Sequence, residues 1–141
     1  MYKSEFLQEI HSRGFIYQSS DIDKLDVLMN NNVVTGYIGF DPTNDSLHVG
    51  SLVQLMLLHW MQHYGHHPIA LMGGGTTLIG DPSGKDESRK IIQKEQVESN
   101  IKQIKSIFSK FINIDEKAKI INNYDWLSSI NYIDFLRNIG K

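Results

Sequence analysis

Val33-Val34-Thr35-Gly36-Tyr37-Ile38-Gly39-Phe40-Asp41-Pro42-Thr43-Asn44-Asp45-Ser46-Leu47-His48-Val49-Gly50-Ser51 is the stretch that decides the fold. Its first eight residues are a β-rich run, and Asp41 to Asp45 form a dense turn cluster. From Ser46 the pattern becomes helical and stays so to about Tyr64. Leu47, Val49, Leu52, Val53, Leu55, Met56, Leu57, Leu58, Trp60 and Met61 surround nearly the whole circumference, which predicts a buried helix. Gly65 closes it, and Pro68 prevents its continuation. A strand feeding directly into an apolar helix is the opening of a β-α-β unit.

Downstream the alternation repeats. Ile69 to Met72 read as a second strand, ended by Gly73-Gly74-Gly75. A long loop is predicted through Ile79-Gly80-Asp81-Pro82-Ser83-Gly84-Lys85. The third helix runs to about Phe111, with Val97, Ile101, Ile104, Phe108 and Phe111 on one face. Ala118 to Ile121 form a third strand candidate, followed by Asn122-Asn123-Tyr124-Asp125-Trp126 and a last helix from about Ile130. Upstream, Tyr2 to Arg13 place Phe6, Leu7 and Ile10 on one helical face before Gly14, and a short helix over Asp21 to Met29 is predicted with Ser20 as its cap. The division expected is a helical segment over 1–32 and a partial nucleotide-binding catalytic domain over 33–141. Strands that lack alternation and lie between helices predict an α/β fold, a Rossmann-like parallel sheet with helices on both faces. Ligands of such sheets bind at the carboxyl ends of the strands. Those ends carry Tyr37 to Asp45, Gly73 to Lys85 and Asn122 to Trp126, so three distant segments are expected to form one site.

Composition narrows the partners. The net charge of -2 over 141 residues gives no global basic field, so any RNA contact is local or lies elsewhere. The absence of cysteine excludes disulfides and thiolate metal sites. The polar start Met1-Tyr2-Lys3-Ser4-Glu5 is not a signal peptide, and the apolar run of Leu52 to Met61 is broken by Gln54 and His59, so no membrane span and a cytoplasmic location are expected. Gly80 to Lys85 does not have phosphate-loop spacing, and Leu78 stands where a dinucleotide fingerprint needs its third glycine. His59 and His63 lie one helical turn apart without a nearby carboxylate, which disfavours zinc. His66 and His67 read as surface residues at a helix end.

The loop from Asp41 to Ser51 carries the clearest chemistry. The first turn of the following helix offers free N–H groups and a positive dipole end, both suited to phosphate. His48 can donate to a phosphate oxygen, and Thr43 adds a hydroxyl. Gly50 weakens the helix relative to alanine, a cost that close approach of a flat ring such as adenine would explain. The plain alternative makes Ser46 a cap, His48 a surface residue and Gly50 incidental.

His48-Val49-Gly50-Ser51 resembles the HIGH signature of class I aminoacyl-tRNA synthetases. Together with Tyr37 to Thr43, Gly73-Gly74-Gly75-Thr76, Ile79 to Lys85 and Asn122 to Trp126, it is similar to the tyrosyl branch of that family. The resemblance implies activation of L-tyrosine by ATP, accompanied by Mg2+, to tyrosyl-adenylate, and transfer to tRNA(Tyr). It implies no tightly bound cofactor, homodimerisation near Trp126 to Leu136, and tRNA contacts mainly outside these residues. Tyr37 then matches the reader of the substrate phenol and Asp81 the acceptor of its ammonium group. Thr43 and His48 match groups that stabilise pyrophosphate, with Lys85 and Arg89 as basic residues near the phosphates. Gly39, Asp41, Gly50 and Ser51 match the nucleotide-lining positions, Ser51 replacing the second histidine of the signature. The resemblance spans only about the first third of such a protein, without a KMSKS-type loop, so this portion alone is expected to be inactive. A tryptophanyl relative and a non-catalytic nucleotide-binding domain are the competing readings. Tyr37 with Asp81 discriminates, because neither alternative needs a phenol reader paired with an ammonium acceptor.

Overall fold

A computed structural model describes residues 1–80, 92–114 and 117–140. The order is α1 (Glu5–Ser12), α2 (Ile22–Asn31), β1 (Thr35–Phe40), α3 (Val49–His63), β2 (His67–Met72), α4 (Gly74–Ile79), α5 (Lys94–Phe108), β3 (Lys119–Asn122), α6 (Tyr124–Leu127) and α7 (Tyr132–Asn138). The strands form one parallel sheet in the order β1-β2-β3, with Ile38 opposite Ala70 and Ala70 opposite Ile120.

That order explains how the sheet is covered. Crossovers between parallel strands are right-handed. Strands that advance in one direction therefore place successive helices on the same face. Phe40, Ala70 and Met72 accordingly form a single core with Leu55 and Leu58 of α3 and with Val97, Ile101, Ile104 and Phe108 of α5. Each such side chain larger than alanine contributes roughly 1.5–3 kcal/mol when fully buried. The expected helical cover is met on this face. On the other face Ile69, Leu71 and Ile121 are only half-buried, and the Tyr37 side chain is exposed.

A second cluster joins α1 and α2 to the far end of α3. Phe6, Leu7, Ile10 and Met29 pack with Met61, flanked by Leu57, Trp60 and Val34. Asp26 secures it, its carboxylate accepting the N–H groups of Lys3 and Ser4. Those bonds hold its pKa below the ordinary carboxylate range.

Several local expectations change. Asp21, not Ser20, caps α2, its side chain accepting the Lys24 N–H. His48, not Ser46, caps α3. That helix buries one face only, through Ser51, Leu55, Leu58 and Met61, while Val49, Leu52 and Val53 are exposed. The apolar count misled because it does not show which side chains the sheet and the N-terminal helices cover. His66 is buried: its Nδ1 accepts the Val34 N–H at 3.2 Å and its ring meets Phe6 edge-on. The segment after β2, expected to be loop from Gly73 onward, is helical over Gly74–Ile79.

Candidate functional site

At the carboxyl end of β1 lies a cavity of about 460 Å³, lined by Gly39, Phe40, Asp41, Thr43, Asn44, Ser46, Leu47, His48, Ser51 and Gln54. Five of the residues singled out from sequence meet here: Gly39, Asp41, Thr43, His48 and Ser51. His48, Ser51 and Gln54 follow one another up a single face of α3, and the turn after β1 supplies the opposite wall.

His48 organises the opening of α3. As the N-cap it adopts extended backbone angles (φ -79, ψ 167), and its ring folds back over the helix. The Gly50 N–H donates to His48 Nδ1 at 3.0 Å, and the Ser51 N–H donates to the His48 carbonyl at 3.0 Å. Two N–H groups expected to be free for phosphate are therefore already used. The imidazole takes their place. With Nδ1 accepting, the neutral ring carries its proton on Nε2, which is left to donate outward.

The same contact accounts for Gly50. A Cβ there would lie 2.8 Å from His48 Cε1 and 2.9 Å from Nδ1, so the space is needed by this ring before any ligand arrives. Gly36 likewise has a packing reason of its own, since Met61 Cε would lie 2.8 Å from an added Cβ. Gly39 differs from both. A Cβ there would meet nothing within 4 Å, and the residue faces the cavity. No internal packing requires glycine at position 39, which leaves open floor for a flat ligand. Tyr37 stands two residues earlier on the same face of β1, 70% exposed and outside the cavity wall. Asp81, Lys85 and Arg89 lie outside the described residues.

The three strand ends are tied together. The Gly73 N–H donates to the Phe40 carbonyl at 2.9 Å. An added Cβ on Gly73 would lie 2.7 Å from both Asp41 Oδ1 and Thr76 Oγ1. From the third strand end, Asn122 Oδ1 accepts the Gly74 N–H at 3.1 Å and Asn123 Oδ1 accepts the Gly75 N–H at 2.7 Å. Asn123 Nδ2 donates to Thr76 Oγ1 at 3.2 Å. The two asparagines thus satisfy the first N–H groups of α4, and Gly74 and Gly75 leave them room: a Cβ on Gly74 would sit 2.3 Å from Asn122 Oδ1 and one on Gly75 3.2 Å from Asn123 Oδ1. Sequence reasoning assigned Asn123 no role, and it missed Asn100. Asn100 donates from Nδ2 to the Pro42 carbonyl at 2.9 Å. The signal for Asn100 was available: a lone amide on the apolar stripe of α5.

The model of the family tRNA synthetases class I (W and Y) matches residues 29–141. The tyrosine–tRNA ligase of Bartonella quintana is 54% identical over 143 residues, covering 99% of this chain and 34% of the relative. That of Rhizobium meliloti is 51% identical over the same shares. The chain thus spans about a third of the length of the curated relatives it matches. Among solved structures, a C-terminally truncated mitochondrial tyrosyl-tRNA synthetase from Aspergillus nidulans superposes with a TM-score of 0.79 at 25% identity, over 96% of this chain and 42% of that one. The corresponding structure from Coccidioides posadasii gives 0.72 at 26% identity, over 96% and 40%. With its parallel sheet, its histidine-capped helix and this sequence match, the chain belongs to the class I tRNA synthetases of the W and Y type.

Proposed function

We propose that these residues form the ATP-binding portion of a tyrosine–tRNA ligase, and that the cavity beside β1 receives the nucleotide. The observation that carries this reading is the His48 ring, held through Nδ1 by the Gly50 N–H so that Nε2 remains to donate into a cavity floored by Gly39. The substrate is ATP with its Mg2+, and the second substrate is L-tyrosine. The tyrosine carboxylate attacks the α-phosphate, a bond forms from carboxylate oxygen to phosphorus, and pyrophosphate departs. The carboxylate is already a nucleophile, so no general base is required. What the protein contributes is position and stabilisation of charge on the leaving group. His48 and Thr43 serve the departing pyrophosphate, joined by Lys85 and Arg89. Gly39, Asp41, Gly50 and Ser51 border the nucleotide. Tyr37, on the open face of β1, reads the substrate phenol, and Asp81 receives its ammonium group. A hydroxyl placed to pair with a substrate hydroxyl rejects the analogue that lacks it, a principle whose own example is this enzyme family.

Transfer to tRNA(Tyr) relies mainly on regions outside these residues, and the setting is the cytoplasm. The exposed apolar residues Trp126, Ile130, Tyr132, Ile133, Phe135, Leu136 and Ile139 support homodimerisation through this surface. The test is tyrosine-dependent ATP–pyrophosphate exchange in a chimera in which this chain replaces the aligned third of the Bartonella quintana relative. Exchange with tyrosine, and none with phenylalanine or tryptophan, is the expected result. Equal exchange with tryptophan refutes the reading.

A further inference from the structure

Asn100 is an amide on the core stripe of α5, in line with Val97 and Ile104, and is only 2% exposed. An apolar residue would fit that position, and a buried amide is costly unless its hydrogen bonds are made. Here both sides are used. Gln96 Nε2 donates to Asn100 Oδ1 at 2.8 Å, and Asn100 Nδ2 donates to the Pro42 carbonyl at 2.9 Å. The carbonyl can only accept, so the amide must turn its NH2 group toward Pro42.

Pro42 is itself fully buried, and its chain neighbours Asp41 and Thr43 line the cavity. It has no N–H, so its carbonyl is the only backbone polar group through which it can be held. Among the described residues, this is the one hydrogen bond from segment 41–47 to another element, and Leu47 adds packing against the core. The segment has no regular secondary structure, yet it must hold Thr43 and His48 against the same space.

We infer that Asn100 is a positioning residue for the nucleotide loop: its amide fixes Pro42 from below and so sets where Thr43 and His48 stand. This rests on the ligase reading above, and the test separates the two. In the same chimera, Asn100→Leu keeps an apolar core and Asn100→Asp keeps the shape while replacing the donor with an acceptor. Both should lower kcat for pyrophosphate exchange at least tenfold, with the KM for tyrosine changed less than twofold. Gln96→Ala, at an exposed position, should give a smaller loss of the same kind that does not add to that of Asn100→Leu. This keeps the test alive if neither Asn100 variant folds. A kcat within twofold of the parent in these variants overturns the inference, as does a loss that follows the unfolded fraction. If the parent chimera shows no exchange, the ligase reading fails, and hydrogen exchange then decides the role of Asn100. Amides over 43–51 exchanging at least tenfold faster in Asn100→Leu, with β2 unchanged, uphold it. Equal rates overturn it.

Discussion

Replacing Asn123 with alanine tests whether the third strand end braces the second. Asn123 and Gly75 are both buried, and the asparagine oxygen accepts the Gly75 N–H at 2.7 Å. Truncation leaves that N–H without a partner inside the protein, a loss of about 1–3 kcal/mol. Thr76 Oγ1 also loses its donor at 3.2 Å, which adds roughly 1 kcal/mol. The sum of about 2–4 kcal/mol is a large share of the roughly 5–15 kcal/mol that holds a domain folded. With a urea dependence of about 2 kcal/mol/M, the middle of the usual range, the midpoint should fall by about 1–2 M. Asn123→Asp retains an oxygen for the Gly75 N–H and should lose less than half as much. Urea unfolding followed by tryptophan fluorescence measures both. A midpoint for Asn123→Ala within about 0.3 M of the parent refutes the brace, as does an aspartate variant that loses as much as the alanine.

Gly39→Ala should leave the urea midpoint nearly unchanged, because the new methyl meets no protein atom, while calorimetric titration of the chimera with ATP shows binding weakened at least tenfold. His48→Asn retains a side-chain acceptor for the Gly50 N–H and so keeps the helix cap, but it loses Nε2; pyrophosphate exchange in the chimera should fall about 100- to 1000-fold, as for a deleted transition-state donor, with stability unchanged. His66 has its pKa pushed below the ordinary imidazole range, first by burial and then by the neighbouring His67. The unfolded chain therefore binds the proton more readily, and stability should be full above about pH 6.5 and decline as the pH falls toward the folded-state value. His66→Gln should flatten that decline in urea midpoints measured between pH 7 and pH 5.

The elements themselves were largely legible. Composition located the three strands, as β-rich or apolar runs between turn signals, and periodicity located the α5 stripe, whose apolar residues are set by burial. The site was legible as a set of loop ends, since Gly39, Asp41, Thr43, His48 and Ser51 lie within one stretch of thirteen residues. What stayed hidden depends on contacts between distant segments. Gly50 answers to a ring two residues away, Gly36 to Met61, and Gly74 to Asn122, and a sequence shows a glycine without showing its neighbour. α4 was read as loop because Gly73-Gly74-Gly75 is a poor helix start; its caps come from Asn122 and Asn123. The cover on one sheet face followed from strand order, which local pattern does not reveal.

That borrowed cap sets an order of assembly. α4 is six residues long and opens on glycine, so it has no stability of its own. Its first N–H groups find their acceptors 48 positions downstream. Closing so long a segment is entropically unfavourable until β3 docks beside β2 and burial offsets the loss. β1, α3 and β2 are joined by shorter connections and can associate earlier. The turn at Gly73 to Thr76 is therefore a late-forming part of the fold, and destabilising changes there should speed unfolding while leaving the refolding rate nearly untouched.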